Sequence, residues 1–141
     1  MSIKQVMVVG SGQMGAGIAQ VCAQYGFSVK LNDIADEALE KGKAGIEKRL
    51  ARSVEKGRLA EEEQQKTLEN LSYTTDLNEA SSCDLVIEAI VENMDVKTSL
   101  FKKLDEIAPE HAILASNTSS LPITEIAAVT NRPSQVIGMH F

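Results

Sequence analysis

The sequence is short of several residue types, and each shortage excludes a class of protein. It has no tryptophan, two tyrosines and three phenylalanines, which leaves little aromatic surface for stacking nucleic-acid bases. Its two cysteines, Cys22 and Cys83, form neither a CxxC pair nor a cluster with histidines, so no disulfide framework and no metal site are predicted. Two unpaired thiols fit a reducing cytoplasm.

Long apolar runs and an excess of positive charge are also missing. The first ten residues, MSIKQVMVVG, contain only a short apolar run before the first glycine, too short for a signal-peptide core or a membrane span. The sequence has fourteen basic and twenty acidic side chains, which give a net charge of −6. The chain therefore has no general electrostatic reason to bind nucleic acid or an anionic membrane.

What is present is a regular alternation of strand-like and helical segments. At 141 residues the chain is long enough for one domain with its own core. Apolar, β-branched runs recur as QVMVVG, SVKLND, DLVIEAI, AILASN and QVIGMHF, with helical patterns between them. The alternation predicts an α/β, doubly wound fold with a mainly parallel sheet and helices on both faces.

The helical segments have recognisable ends. We predict a first helix from about Met14 to Tyr25, with Gly26 after it and a 3,4-spaced apolar face of Met14, Ile18, Val21 and Cys22. Asp36 is expected to cap a second helix that reaches about Lys56 and stops at Gly57. The acidic segment LAEEEQQKTLENL predicts a third helix, which makes a helical hairpin insertion after strand two.

A later helix is predicted from about Asp95 to Ile107, before Pro109. Its apolar residues are Val96, Leu100, Leu104 and Ile107.

A glycine-rich loop, GSGQMG, directly follows the first strand and opens the first helix. Gly10 permits a tight turn, Gly12 lets a pyrophosphate approach the backbone, and Gly15 lets the helix pack closely on the strand. The phosphates would lie on free N–H groups at the helix start, where Gln13 and Met14 stand. The loop predicts a dinucleotide site, with a structural tight turn as the alternative.

An acid at the end of the second strand completes this pattern. Asp33 lies 18 residues past Gly15, where a carboxylate accepts hydrogen bonds from a ribose diol. It would repel a 2′-phosphate, and the next residue, Ile34, offers no arginine to hold one. The cofactor predicted is therefore NAD rather than NADP, and we expect Asp36 to serve the turn, leaving Asp33 for the ribose.

Two strands in the second half end in polar residues. DLVIEAIVENMDVK spans residues 84–97, and ILASNTSSLPI spans residues 113–123. In a doubly wound sheet both strands deliver these residues to the ligand edge. Any single Ser, Thr or Asn of SNTSS is more often a turn or N-cap residue than a catalytic one.

These segments together resemble the NAD-binding Rossmann domain of L-3-hydroxyacyl-CoA dehydrogenases, which include 3-hydroxybutyryl-CoA dehydrogenases. The resemblance rests on VVGSGQMGAGIAQ, DLVIEAIVENMDVK, LFKKLD, ILASNTSSLPITEIA, RP and VIGMHF, in this order, across essentially the whole chain. It implies an NAD-dependent oxidation of (3S)-3-hydroxyacyl-CoA to 3-oxoacyl-CoA, and the reverse, in fatty-acid β-oxidation or butanoate metabolism.

The resemblance also assigns roles to particular residues. His140 of GMHF would be the catalytic base, and Ser119 would contact both the substrate oxygen and the nicotinamide. Glu92 and Lys97 correspond to residues near the nicotinamide ribose, Asp33 to the adenosine-ribose acid, and Asn117 joins the cofactor-binding set. An imidazole suits proton abstraction near neutral pH.

Coenzyme A contacts are implied as well. Lys56 matches a lysine that contacts coenzyme A in some relatives, and Arg49 stands where those relatives have a serine. The family continues beyond HF with a glutamate that orients the histidine and a helical C-terminal domain that completes the acyl pocket and the homodimer. This chain alone is therefore expected to bind NAD(H) but to turn over acyl-CoA poorly or not at all.

Two other functions remain open. One is a related NAD-dependent hydroxy-acid dehydrogenase of the L-gulonate 3-dehydrogenase type, whose substrate lacks coenzyme A. The other is a non-catalytic NAD-binding module, which needs the glycines and Asp33 but neither Ser119 nor His140.

Overall fold

The computed structural model describes residues 2–118 and 122–139, and these form one six-stranded sheet. The strands are β1 (Gln5–Val9), β2 (Ser28–Asn32), β3 (Leu71–Thr74), β4 (Leu85–Glu88), β5 (Ile113–Ser116) and β6 (Val136–Gly138). Their order is β3-β2-β1-β4-β5-β6, and every pairing is parallel. This is the Rossmann order, so the predicted α/β class and doubly wound topology are confirmed.

Helices cover both faces of the sheet. They are α1 (Gln13–Gln24), α2 (Asp36–Glu55), α3 (Glu61–Asn70), α4 (Met94–Ile107) and α5 (Ile123–Ala128), with 3-10 turns at Leu77–Ser82 and Pro133–Gln135. The predicted helical hairpin is α2 and α3, inserted between β2 and β3. In the described part of the chain, no helix combines the length and apolar character needed to cross a bilayer.

The central strand β1 separates two hydrophobic cores. Val6 and Val8 point to the face covered by α1 and α2, while Met7 and Val9 point to the face covered by α4 and α5. All four are at most 6% exposed. Burial on both faces explains why the strand is apolar without alternation.

The structure corrects three details of the sequence interpretation. The strand β3 was not predicted, because LSYT is a short edge strand in which a serine and a threonine interrupt the apolar pattern. In α1, Met14 and Val21 are 51% and 43% exposed, since the helix packs through its small residues, Gly15, Ala16, Ala19 and Ala23, together with Ile18. Small side chains let the helix backbone approach the sheet, so the larger ones face outward.

The third correction concerns α4. Its buried residues are Lys97, Phe101 and Leu104, whereas the predicted Val96 is 45% exposed. Leu104 is buried as predicted, and the error concerns the first turn of the helix, where the sequence pattern favours Val96 because a lysine at position 97 interrupts the apolar period.

Polar contacts fix the sheet edge where the strands begin. The Asp84 carboxylate accepts hydrogen bonds from the backbone N–H groups of Lys4 and Gln5 and contacts His111 Nε2 at 2.8 Å. The His111 contact, with help from the two N–H groups, lowers the pKa of Asp84 from 3.8 to about 2. Asp84 therefore remains ionised through ordinary acid conditions and links β1, β4 and the loop before β5.

Arg132 ties the end of α4 to the segment that leads into β6. Its guanidinium donates to Asp105 Oδ1 at 2.7 Å. The same group donates to four backbone carbonyl oxygens, those of Asp105, Ala108, Pro109 and Ala112. Because the last carbonyls of a helix lack intrahelical donors, this arginine satisfies them and fixes where β6 begins.

Candidate dinucleotide site

The glycine loop between β1 and α1 is held by contacts too close for a side chain. Gly10 has φ of +105°, and a Cβ placed there would lie 2.6 Å from the carbonyl oxygen of Ala89. A Cβ on Gly15 would lie 1.7 Å from the carbonyl oxygen of Gly10. The predicted backbone roles of Gly10 and Gly15, a tight turn and close helix packing, are confirmed.

Gly12 differs from these two glycines. A Cβ there would meet no atom within 4 Å, and its φ of −65° is open to any residue. The fold itself therefore does not require glycine at this position. The approach of a ligand to the backbone at Gly12 stays a prediction. Gln13 and Met14, the next two residues, form the exposed first turn of α1.

The first turn of α1 presents N–H groups toward this space. Gly12 is the N-cap residue and has no side chain to cap the helix. Ala16 N donates to Gly12 O at 2.9 Å, which is the first intrahelical bond, so the N–H groups before it are left for a ligand. Such a helix start, with its positive dipole end, suits a pyrophosphate.

Asp33 lies beside the loop, one residue past β2. Its Oδ2 accepts hydrogen bonds from Ser11 N at 3.0 Å and Ser11 Oγ at 2.8 Å, and its Oδ1 accepts one from Ala35 N at 3.1 Å. Partial burial alone raises the pKa of Asp33, but the bonds from Ser11, Ala35 and Ile34 outweigh it and lower the pKa. Asp33 is thus an oriented carboxylate next to Gly12.

The turn after β2 is made by Asp33 itself, which corrects the expectation for Asp36. Asp36 is the first residue of α2, and the N-cap is Ala35, which makes no side-chain capping bond. The Ala35 N–H is satisfied instead by Asp33 Oδ1. Asp33 therefore serves both the turn and the loop, and a carboxylate retains acceptor positions for a ribose.

An open cavity of about 760 Å³ runs from the glycine loop across the ends of β1, β2 and β4. Asp33 and Ile34 line one side, and Val91, Val96 and Lys103 line another. Ile34 is 95% exposed and offers an apolar surface to this cavity. A largely apolar slot beside an oriented carboxylate suits an adenosine.

A buried charge cluster occupies the neighbouring ends of β4 and β5. Lys97 of α4 is completely buried and its Nζ lies 2.7 Å from Glu92 Oε1, 3.1 Å from Glu88 Oε1 and 3.5 Å from the carbonyl oxygen of Asn117. Thr118 Oγ1 donates to Glu92 Oε2 at 2.7 Å. The structure therefore brings together Glu92, Lys97 and Asn117, three of the predicted cofactor residues.

The predicted catalytic residues, Ser119 and His140, lie outside the described residues. The chain immediately before each of them is described: β5 ends at Ser116, and Met139 follows β6. Met139 N donates to Ser116 O at 2.9 Å, so these two segments are neighbours at the same sheet edge. The roles of Ser119 and His140 remain predictions.

The predicted coenzyme A residues, Arg49 and Lys56, lie in the second half of α2 and directly after it. Lys56 is exposed and follows the last residue of α2, roughly 30 Å along the helix from Asp36. Arg49 packs toward α1, donating from Nε to Gln20 Oε1 at 2.8 Å. Its Nη2 is buried without a hydrogen-bond partner in the described part of the chain, beside a cavity of about 350 Å³ that Gly12 and Lys41 also line.

Comparison with known proteins assigns the chain to a family. The model of the 3-hydroxyacyl-CoA dehydrogenase NAD-binding domain matches residues 5–141. The chain belongs to this family. The predicted cofactor, NAD, is confirmed with it.

Individual relatives agree with the family match. A probable 3-hydroxybutyryl-CoA dehydrogenase of Bacillus subtilis is 58% identical over 141 residues, covering 100% of this chain and 49% of that protein. The rat mitochondrial hydroxyacyl-coenzyme A dehydrogenase is 50% identical over 145 residues, covering 99% and 46%. The chain thus spans about half the length of these relatives.

A solved structure extends the likeness to three dimensions. The crystal structure of 3-hydroxybutyryl-CoA dehydrogenase from Escherichia coli superimposes with a TM-score of 0.98 at 45% identity, covering 100% of this chain and 30% of that one.

Sequence reasoning missed two residues of the NAD-binding edge, Glu88 and Ser116. Both are completely buried at the last positions of β4 and β5, and Ser116 Oγ donates to Glu88 Oε1 at 2.5 Å. The sequence pattern alone places each within an apolar strand. The available signal was a charged residue at the end of a strand that is otherwise apolar.

The three glycines allow a direct separation of folding from ligand binding. We expect Gly15→Ala to cost several kcal/mol of stability, because its Cβ would overlap Gly10 O. Gly12→Ala should lower the free energy of unfolding by no more than about 1 kcal/mol, because alanine is a poorer N-cap residue than glycine, but weaken NADH binding at least about tenfold, because the methyl group enters the pyrophosphate space. Thermal unfolding and NADH fluorescence titration measure the two effects.

Gly17→Ala is the matched control, since a Cβ at this position also meets nothing within 4 Å. It lies inside α1, so alanine should maintain or raise stability and leave NADH affinity unchanged. Unaltered NADH affinity in Gly12→Ala would contradict the placement of the pyrophosphate at Gly12.

Proposed function

We propose that this chain is the cofactor-binding half of an NAD-dependent 3-hydroxyacyl-CoA dehydrogenase, which interconverts (3S)-3-hydroxyacyl-CoA and 3-oxoacyl-CoA. The single observation that carries the proposal is the family match over residues 5–141, joined to relatives named 3-hydroxybutyryl-CoA dehydrogenase. The geometry supports it, because the glycine loop, Asp33 and the Lys97 cluster lie along one sheet edge.

The proposed reaction divides between the cofactor and this chain's residues. NAD, when bound, accepts a hydride from the substrate carbon that bears the alcohol. His140 takes the hydroxyl proton onto its imidazole, which leaves the carbonyl of the 3-oxoacyl product. Ser119 hydrogen-bonds the same oxygen and holds the carbon facing the nicotinamide, and such positioning contributes much of the rate.

The described cluster of Glu92, Lys97 and Thr118 would hold the cofactor for the reaction proposed for His140 and Ser119. Glu92, 39% exposed as a side chain, keeps a surface toward the edge where a nicotinamide ribose would lie. Lys97 holds its Oε1 and Thr118 holds its Oε2, so the carboxylate is presented in one orientation. We propose that Glu92 accepts from that ribose and that Asn117 positions the cofactor beside it.

The remaining proposals concern the whole protein. Because the chain covers about half of its relatives, we propose a second, helical domain that completes the acyl pocket and forms a homodimer. We also propose a cytoplasmic location, supported by the free thiols of Cys22 and Cys83. The chain without that domain should bind NADH and fail to turn over acyl-CoA.

Two variants at histidine test the catalytic proposal in the full-length protein. His140→Ala should lower kcat/KM for 3-hydroxybutyryl-CoA by about 10²- to 10⁴-fold, as expected for loss of a general base, with the dissociation constant of NADH nearly unchanged. The control is His111→Ala, because His111 lies with Asp84 at the opposite sheet edge and should not affect turnover. Steady-state kinetics and NADH titration measure both.

The same kinetics separate the alternatives. Full activity in His140→Ala would remove the catalytic assignment. NADH binding by the wild-type protein without turnover of any hydroxy acid would favour the non-catalytic module. Turnover of L-gulonate in preference to 3-hydroxybutyryl-CoA would favour the related hydroxy-acid dehydrogenase.

We further propose that Arg49 contacts a phosphate of coenzyme A, with Lys41 on the same helix and Lys56 directly after it contributing positive charge. Support comes from the buried Nη2 of Arg49, which no described atom accepts from, and from the cavity beside it. An unsatisfied guanidinium nitrogen is costly and suits a phosphate oxygen.

Arg49→Gln should raise KM for acetoacetyl-CoA about tenfold, the effect of one charge-assisted hydrogen bond, without changing KM for acetoacetyl-pantetheine, which lacks the nucleotide phosphates. The matched control is Arg52→Gln on the exposed side of α2, which should alter neither KM. Equal changes for both substrates in Arg49→Gln would place Arg49 outside the coenzyme A site.

A further inference from the structure

The buried cluster at the ends of β4 and β5 holds two opposite charges with no access to solvent. The side chains of Glu88 and Lys97 are both 0% exposed, and Lys97 Nζ lies 3.1 Å from Glu88 Oε1. Burying such a pair costs desolvation energy, and the attraction between the two charges barely offsets that cost. Stability alone therefore gives little reason for this pair, and its position at the cofactor edge suggests a role for its charges.

Glu88 accepts hydrogen bonds or faces positive charge on every described contact. Oε2 accepts from Ile90 N at 2.7 Å, and Oε1 accepts from Ser116 Oγ and faces Lys97 Nζ. Each of these partners is a donor or a cation, and a carboxylate oxygen is suited to both. Glu88 is therefore a buried carboxylate, fixed by the loop after β4, the end of β5 and α4.

The cluster as a whole is negative. Glu88 and Glu92 each contribute −1 and Lys97 contributes +1, so these three described side chains carry a net charge of −1. Their burial matters, because charges in the interior are screened much less by salt and water than surface charges. The field of this excess charge reaches the adjoining cofactor edge.

The nicotinamide belongs on this side of the sheet. Asp33 follows β2 and marks the adenosine half, and the pyrophosphate crosses at the glycine loop. The other half of the dinucleotide therefore extends toward β4 and β5, because Gly10 packs directly against Ala89, the residue after Glu88. The ring then lies on the side of the negative cluster.

We propose that the Glu88–Lys97–Glu92 cluster selects the redox state of the bound cofactor. The nicotinamide ring is cationic in NAD⁺ and neutral in NADH, so one net negative charge stabilises the oxidised form relative to the reduced form. Glu88 supplies this charge from inside the protein, without touching the cofactor. The inference rests on the proposed dehydrogenase function and adds a role for Glu88 to it.

The test is the ratio of two dissociation constants, Kd for NAD⁺ divided by Kd for NADH, in the full-length protein. Glu88→Gln and Glu92→Gln each neutralise the cluster and should raise this ratio about three- to tenfold. The double variant Glu88→Gln/Lys97→Met returns the net charge to −1, and its ratio should return to within about twofold of wild type. Calorimetry and NADH fluorescence give both constants.

Two controls separate charge from structure. Ser116→Ala removes a hydrogen bond to Glu88 without changing a charge, so the ratio of the two constants should stay at the wild-type value. Glu110→Gln removes a carboxylate from the loop before β5, at the opposite sheet edge, and should also leave the ratio unchanged. A purely structural role would weaken both cofactors together and leave the ratio constant in every variant.

The outcomes are distinguishable. If the wild-type protein binds neither NAD⁺ nor NADH, the proposed function and this inference both fail. If it binds both, and the ratio stays within about twofold in Glu92→Gln and Glu88→Gln, only the redox selection fails. Circular dichroism checks folding, and should Glu88→Gln not fold, Glu92→Gln and the double variant decide.

Discussion

The site depends on one close approach, that of Gly15 in α1 to the carbonyl oxygen of Gly10. No side chain fits between these two backbones, and the contact sets α1 against the end of β1. The start of α1 then lies at the carboxyl edge of the sheet, with its first N–H groups directed at the ligand space. Gly10 in turn packs on Ala89, and this second contact fixes the distance between the loop and β4.

Two carboxylates lie along this edge, Asp33 after β2 and Glu88 at the end of β4. Asp33 is exposed enough to meet a ribose and is held by Ser11 and Ala35, which keep it ionised. Glu88 is buried and interacts with Lys97 and Ser116 instead of a ligand. We propose that Asp33 acts by direct hydrogen bonding and Glu88 by its field, a difference that follows from their burial.

Most of the fold and half of the site could be predicted from the sequence. The glycine spacing and Asp33 depend on local geometry, so their positions follow from neighbouring residues. Lys97 could be assigned to the cofactor edge only through resemblance, because nothing local shows that a lysine in an apolar helix row is neutralised by a glutamate at the end of β4. The strand LSYT was missed for the same reason, since its pairing with β2 is a tertiary contact.

Small residues account for the error in α1. Hydropathy weights Met14 and Val21 above Gly15, Ala16 and Ala19, yet the small residues are buried because the helix must lie close to the sheet. Size, rather than hydrophobicity, selects the inner face where backbones approach each other. The glycine loop imposes that approach, through the contact of Gly15 with Gly10.

The most direct test of the dinucleotide site is the affinity of the full-length protein for NADH compared with NADPH, measured by fluorescence titration. Because the Asp33 carboxylate is ionised and fixed beside the loop, it should repel a 2′-phosphate, and NADPH should bind about 100-fold more weakly than NADH. Asp33→Asn should narrow this gap. Equal affinity of the wild-type protein for NADH and NADPH would contradict the assignment of Asp33 to the adenosine ribose.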